Sequence, residues 1–146
     1  MDESRSVMLR ELVRQMERKL GVLEDGEMSC CGISMAQCHA LVEIGRAGSI
    51  SLVDLSKLLD LDNSTMSRTV NNLVNSGMAE RELDPNDRRY VTIKLTNDGK
   101  KSFEEIETNM NSYFERIFNI IPEDKKDQVL ESIQILLAAI AESDCC

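Results

Sequence analysis

Over residues 52–96 the apolar positions change their spacing. Leu52, Leu55, Leu58 and Leu59 recur at three- and four-residue steps, and Leu61 follows in a short turn. Met66, Val70, Leu73 and Val74 repeat that spacing. Steps of three and four put side chains on one stripe of an α-helix, so two short amphipathic helices are expected. Segments 78–83 and 90–95 then alternate apolar with polar residues, as half-buried strands do. The order expected is helix, tight turn, helix, strand, charged loop, strand. Ile50 and Ser51 are expected to add a short strand that joins the same sheet.

Longer helices are expected on both sides. In residues 4–20, Met8, Leu9, Leu12, Val13, Met16 and Leu20 form one stripe; residues 21–32 read as a loop. Ser34 is placed to cap a helix over 35–46, with Met35, Cys38, Leu41, Val42 and Gly45 inward. From 97 to 119 the stripe is Phe103, Ile106, Met110, Tyr113, Phe114, Ile117 and Phe118. Pro122 opens a last helix, where its missing N–H costs nothing, and Val129, Leu130, Ile133, Leu136, Leu137 and Ile140 continue it. The fold class expected is mostly α with a small β-hairpin wing: a winged helix-turn-helix flanked by N- and C-terminal dimerisation helices.

The second short helix carries the functional argument. Asp62, Asn63 and Ser64 are N-cap residue types, and Ser76-Gly77 supplies the stop. Opposite its apolar stripe lie Ser64, Thr65, Ser67, Arg68, Asn71, Asn72 and Asn75, with no acid among them. A helix face that is merely solvated usually mixes Glu and Lys, which are strong helix formers. Asn and Arg make paired contacts with base edges, and Ser and Thr bond phosphates. The loop after the first strand is Asp84-Pro85-Asn86-Asp87-Arg88-Arg89, a turn by composition with two arginines at its tip. Such a tip can reach a phosphate backbone or a narrow minor groove. The expected DNA-binding set is Asn63, Ser64, Thr65, Ser67, Arg68, Asn71 and Asn72, with Asp87, Arg88 and Arg89 of the wing.

The run DLSKLLDLDNSTMSRTVNNLVNSGMAERELDPNDRRYVTIKLTNDG resembles the signature of the MarR (multiple antibiotic resistance regulator) family. The DPNDRR wing followed by LTNDG is its most distinctive part. The resemblance implies a homodimeric winged-helix repressor or activator of transcription; two copies, each offering one recognition helix, are then expected to bind a pseudo-palindromic operator in double-stranded DNA. It does not give the inducer. A dimer is also expected because the small central module cannot cover the apolar stripes of both terminal helices. The whole chain, 1–146, is expected to be a single domain. Residues 34–99 are expected to form its DNA-binding region, with dimerisation helices and a loop in 1–33 and 100–146.

Charge modifies this picture. The net charge is −9, which taken alone argues against DNA. Yet residues 62–101 hold seven Lys/Arg and six Asp/Glu, a balance of +1 that leaves −10 for the rest. The positive field is weak, so specific contacts must do more of the binding. Aromatics are only 3 %, which excludes base stacking as the mode. No apolar run reaches membrane-spanning length and no signal-peptide core follows Met1, so a cytoplasmic protein without membrane contact is expected. There is no phosphate loop, no nucleophile elbow and one histidine, so an enzyme is not expected.

Five cysteines remain to be explained. Cys38, on a packed helix face, reads as a small core residue, and His39 beside it as a surface position. Cys30-Cys31 in the loop and Cys145-Cys146 at the chain end are two adjacent thiol pairs. Adjacent cysteines have poor geometry for bridging each other, and thiolates select soft ions. Together the pairs could hold Zn, Cd, Pb, Hg or trivalent arsenic as an effector; no cofactor is required. Cysteine oxidation and a small organic ligand are alternative effectors. A further alternative is a soft-metal module that no longer binds DNA, and the plain alternative is that the paired cysteines are incidental surface residues.

Overall fold

The computed structural model describes residues 3–21, 34–87 and 89–143. Arg88 and the thiol pairs Cys30-Cys31 and Cys145-Cys146 lie outside the described residues. In chain order the elements are α1 (Glu3–Lys19), α2 (Met35–Ala47), β1 (Ser49–Ser51), α3 (Leu52–Leu58), α4 (Asn63–Asn75), β2 (Ala79–Leu83), β3 (Val91–Leu95), α5 (Asn97–Ile120) and α6 (Lys126–Ala141), the last preceded by a 3-10 turn at Glu123–Lys125. Among the described residues, no helix is long and apolar enough to cross a membrane. The backbone groups into two units, residues 1–107 and 108–146.

In the first unit, local chemistry sets each boundary. Ser34 accepts from the Gln37 N–H at 3.1 Å, and the Gln37 side chain accepts from the Ser34 N–H at 3.2 Å. This reciprocal pair closes the N-terminus of α2. At the end of α3, the Leu61 N–H reaches the Ser56 carbonyl at 3.0 Å and the Asp60 N–H reaches Lys57 at 3.3 Å. Asp60 takes φ 53, the left-handed conformation that this double bond pattern requires. The same pattern ends α4: Met78 bonds Leu73 at 2.9 Å, Gly77 bonds Val74 at 3.0 Å, and Gly77 has φ 79. Matching caps on successive helices give the short connection of a helix-turn-helix.

The sheet is antiparallel with order β1-β3-β2. Ile50 pairs with Ile93, and Ala79 with Leu95, so the strand expected at residues 50–51 does join the wing. Leu41 and Ile44 of α2, Leu55 of α3, Met66, Val70 and Leu73 of α4, Ile93 of β3 and Ile106 of α5 are fully buried. These residues unite the helix pair and the sheet around one core.

Two expectations need correction here. The spacing puts Leu58 on the buried stripe of α3, but it is 55 % exposed, whereas Ser56 is buried. The core lies on the side shared by Leu52, Leu55, Ser56 and Leu59, and Leu58 falls on the opposite flank of Leu55. Ser56 is tolerated inside because its hydroxyl donates to the Leu52 carbonyl at 2.9 Å. Thr69, a polar residue outside the apolar stripe of α4, is also buried and donates to the Thr65 carbonyl at 3.0 Å.

In the second unit, the Tyr113 and Phe114 rings meet edge to face at 5.2 Å. Lys126 stands 5.1 Å above the Phe118 ring and pairs with Glu123 at 2.7 Å. No residue of α6 is buried, and Leu130, Ile133, Leu137 and Ile140 are exposed. Within the first unit α1 likewise buries nothing, leaving Met8, Leu12 and Met16 open.

Candidate nucleic-acid interface

Helix α4 starts at a charged cap. The Asp62 carboxylate accepts from the Thr65 N–H at 2.6 Å and from the Ser64 hydroxyl at 3.0 Å. Hydrogen bonds from Thr65, then from Ser64, hold its pKa below the ordinary 3.8, and the Arg68 charge adds to this. The end of the helix is therefore already occupied by an anion.

The polar side chains along α4 are available. Asn63, Ser64, Arg68, Asn71, Asn72 and Asn75 are exposed, and Thr65 and Ser67 half-buried, while Met66, Val70 and Leu73 hold the other side in the core. One helix thus presents the expected polar residues together on a rigid support.

The wing is built by its two aspartates. The Asp84 carboxylate accepts from the Asn86 N–H at 2.8 Å, and the Asp84 N–H reaches the Tyr90 carbonyl at 2.9 Å. The first bond is a side-chain mimic of a backbone turn. Asp87 does more than turn the chain. Its Oδ1 accepts from the Arg89 N–H and from Arg89 Nε, both at 3.0 Å, and its Oδ2 accepts from Nη2 at 2.9 Å. The Arg89 guanidinium lowers the Asp87 pKa, and that carboxylate raises the pKa of Arg89. Arg89 is nevertheless 86 % exposed along its side chain. Asp87 therefore fixes the direction of an outward-pointing guanidinium.

The sheet sorts its remaining charges by face. Glu80 and Lys94 are register partners, and Lys94 lies 3.4 Å from Glu80 and 2.5 Å from Glu82. Glu82, then Glu80, raises the Lys94 pKa. Arg81, between the two glutamates, points to the other face, and its Nη2 donates to Asn71 Oδ1 on α4. Arg81 was absent from the expected set. The alternation of β2 was the signal for it, since the period of two separates residue 81 from its acidic neighbours.

Of the sequence candidates, the structure brings Asn63, Ser64, Thr65, Ser67, Arg68, Asn71 and Asn72 together on α4 and places Asp87 and Arg89 at the tip of the wing. Among the described residues, no group of three or more His, Cys, Asp or Glu could hold a metal ion. Cys38 is buried, as expected of a core residue, and His39 is exposed.

Comparison with known proteins adds four findings. A profile described as the MarR family matches residues 33–91. The multiple antibiotic resistance protein MarR of Salmonella typhimurium is 34 % identical over 93 residues, covering 64 % of this chain and 65 % of that protein. The chain thus spans just under two thirds of the length of that relative. Among solved structures, a mutant MarR from E. coli complexed with operator DNA is similar over 93 % of this chain and 95 % of its own, with TM-score 0.74 and 26 % identity. FabT of Streptococcus pneumoniae in complex with DNA shares the fold, with TM-score 0.82 at 22 % identity, over 94 % of this chain and 98 % of its own.

Proposed function

This chain belongs to the MarR family, and from that premise we propose that it is a homodimeric, sequence-specific DNA-binding transcriptional regulator, a repressor released by an effector. Members of the family regulate transcription and are not enzymes. The observation that carries the reading is the acid-free, exposed polar face of α4 beside a wing whose Arg89 is aimed outward by Asp87. That a relative with this fold is complexed with operator DNA supports it. Residues 34–99 are assigned to DNA binding, and 1–33 with 100–146 to dimerisation.

In this reading α4 enters the major groove. Arg68, with polar neighbours such as Ser64 and Asn72, meets base edges, while the wing follows the backbone. Arg88, assigned from the sequence alone, acts on the backbone together with Arg89. Two copies would present two recognition helices to half-sites about 10 bp apart. The open apolar faces of α1 and α6 support pairing of two chains, since exposed apolar residues such as Leu12 and Ile133 gain by leaving water. The test is selection of duplexes from a random library, followed by footprinting. Two symmetric protected halves are expected. Protection of one asymmetric half-site by a monomer would overturn the proposal.

For the effector we propose Cys30 and Cys31 acting with Cys145 and Cys146 on a soft metal or metalloid such as Cd or trivalent arsenic. This rests on sequence alone: two adjacent thiol pairs and the softness of thiolates. Ligation needs thiolates, so binding should release protons and weaken as pH falls. Operator affinity is to be measured with Cd and with trivalent arsenic, on the natural chain and on Cys30→Ser/Cys31→Ser. Unchanged affinity in the natural chain would eliminate the metal reading. Loss with peroxide and recovery with reductant would favour oxidation, in which two thiols give two electrons and two protons to peroxide.

A further inference from the structure

We propose that Arg81 is a further DNA-binding residue, a phosphate contact between recognition helix and wing, and that Asn71 positions it. The proposal rests on the DNA-binding reading above and extends it to a residue outside the expected set.

The strand geometry comes first. Arg81 is the register partner of Ile93, which is fully buried, so both side chains leave the sheet on the helix-facing side. Ala79, two residues earlier on that face, is buried, whereas Arg81 is exposed. Arg81 thus emerges where the core ends, beside Asn71 of α4. There its Nη2 donates to Asn71 Oδ1.

Charge is the second observation. Glu80 and Glu82 flank Arg81 in sequence but lie on the opposite face, bound to Lys94. Arg46 pairs with Glu43 and Glu107, and Arg89 with Asp87. Among the described residues, no carboxylate comes within ion-pair distance of Arg81. A guanidinium carries five donors, and the bond to Asn71 uses one. What is left is an exposed planar fork, beside the polar face of α4 and on the strand that leads to the wing. Phosphate oxygens match that fork in charge and geometry.

This arrangement also assigns Asn71. A paired contact with adenine uses both the carbonyl and the amide of an asparagine. Here the carbonyl is turned to Arg81, so the protein and not a base orients the Asn71 side chain. Asn71 acts through Arg81 as a positioning residue.

The experiment uses the full chain and a duplex that it enriches from a random library, with an unrelated duplex as control. Affinity is measured across a salt series for the natural chain, Arg81→Gln, Arg81→Lys and Asn71→Ala. A lost phosphate contact lowers the salt slope by about one, which is roughly a 3–4-fold smaller loss of affinity between 50 and 200 mM salt. Arg81→Gln should show this and weaken both duplexes by a similar factor. Arg81→Lys should keep the slope of the natural chain. Asn71→Ala should weaken binding, and much less so when Arg81→Gln is already present. Equal losses in Arg81→Gln and Arg81→Lys with an unchanged slope would mark a purely structural role and overturn the proposal. Relaxed preference at a single base position in Arg81→Gln would make Arg81 a base reader and overturn it too. If the natural chain enriched no duplex, the DNA-binding reading itself would fall; if it bound while Arg81→Gln bound identically, only the role of Arg81 would.

Discussion

Gly99 lies so close to Met78 that a Cβ built on it would overlap the Met78 carbonyl oxygen. The same carbonyl accepts from the Thr96 N–H at 3.0 Å. The Thr96 hydroxyl donates to the Gly77 carbonyl at 2.6 Å and accepts from the Gly99 N–H at 3.0 Å. The first turn of α5 is thus fastened to the turn that ends α4. A shift of α5 at this point must be felt at the exit of α4, because packed backbone has no slack to absorb it.

Gly99→Ala should therefore destabilise the protein. Alanine favours a helix over glycine by about 1 kcal/mol, but here the added methyl meets backbone, which cannot swing aside. Overpacking of that kind costs about 1–3 kcal/mol. Chemical denaturation should show a lower midpoint with an unchanged slope. A midpoint above that of the natural chain would show that helix propensity outweighs the clash.

The cap on α4 predicts a pH dependence. The Asp62 pKa is lowered in the fold by its bonds from Thr65 and Ser64. Its contribution is therefore complete above the ordinary 3.8 and is lost as pH falls through the lowered value. Asp62→Asn keeps an oxygen that can accept from Thr65 but does not titrate. Thermal unfolding at pH 7 and pH 3 should show a smaller acid penalty for Asp62→Asn than for the natural chain. Equal penalties would remove Asp62 from the acid response.

Arg68 and Arg89 should fail in different ways. Arg68→Ala is expected to cost about 1–3 kcal/mol of operator binding and to relax preference at one position. Arg89→Ala should weaken binding evenly across sequences and lower the salt slope. Asp87→Asn should follow Arg89→Ala in direction, since it loosens the grip on the guanidinium. Selection on a randomised operator with each variant reads both effects. Intact sequence preference in Arg68→Ala would sink the assignment of the α4 face.

Dimerisation can be checked without DNA. The natural chain should sediment at twice its chain mass of 16.5 kDa. Leu12→Asp or Ile133→Asp puts a charge on an open apolar face, and burial of an unpaired charge is strongly unfavourable. Each should shift the equilibrium toward monomer while the helical signal stays. A natural chain that remains a monomer at high concentration would refute the assignment of these faces.

The periods of three-to-four and of two, the cap residues and the glycine stops were enough to place α2, α3, α4, β2, β3 and α5 to within a residue or two. These signals are local, and bonds within a few residues of one another enforce them. The polar face of α4 was legible for the same reason: a helix fixes which residues share a side. What needed the tertiary structure was every relationship set by packing between elements. The burial of Ser56 and Thr69 in place of Leu58 depends on where the sheet and α2 press, not on the sequence of α3 or α4. The hold of Asp87 on Arg89 depends on how a six-residue loop closes. The bond from Arg81 to Asn71 joins residues ten apart whose meeting is decided by the register of β2 against β3 and by the crossing of α4. No pattern along the chain encodes those distances, because they arise only when distant surfaces compete for the same core.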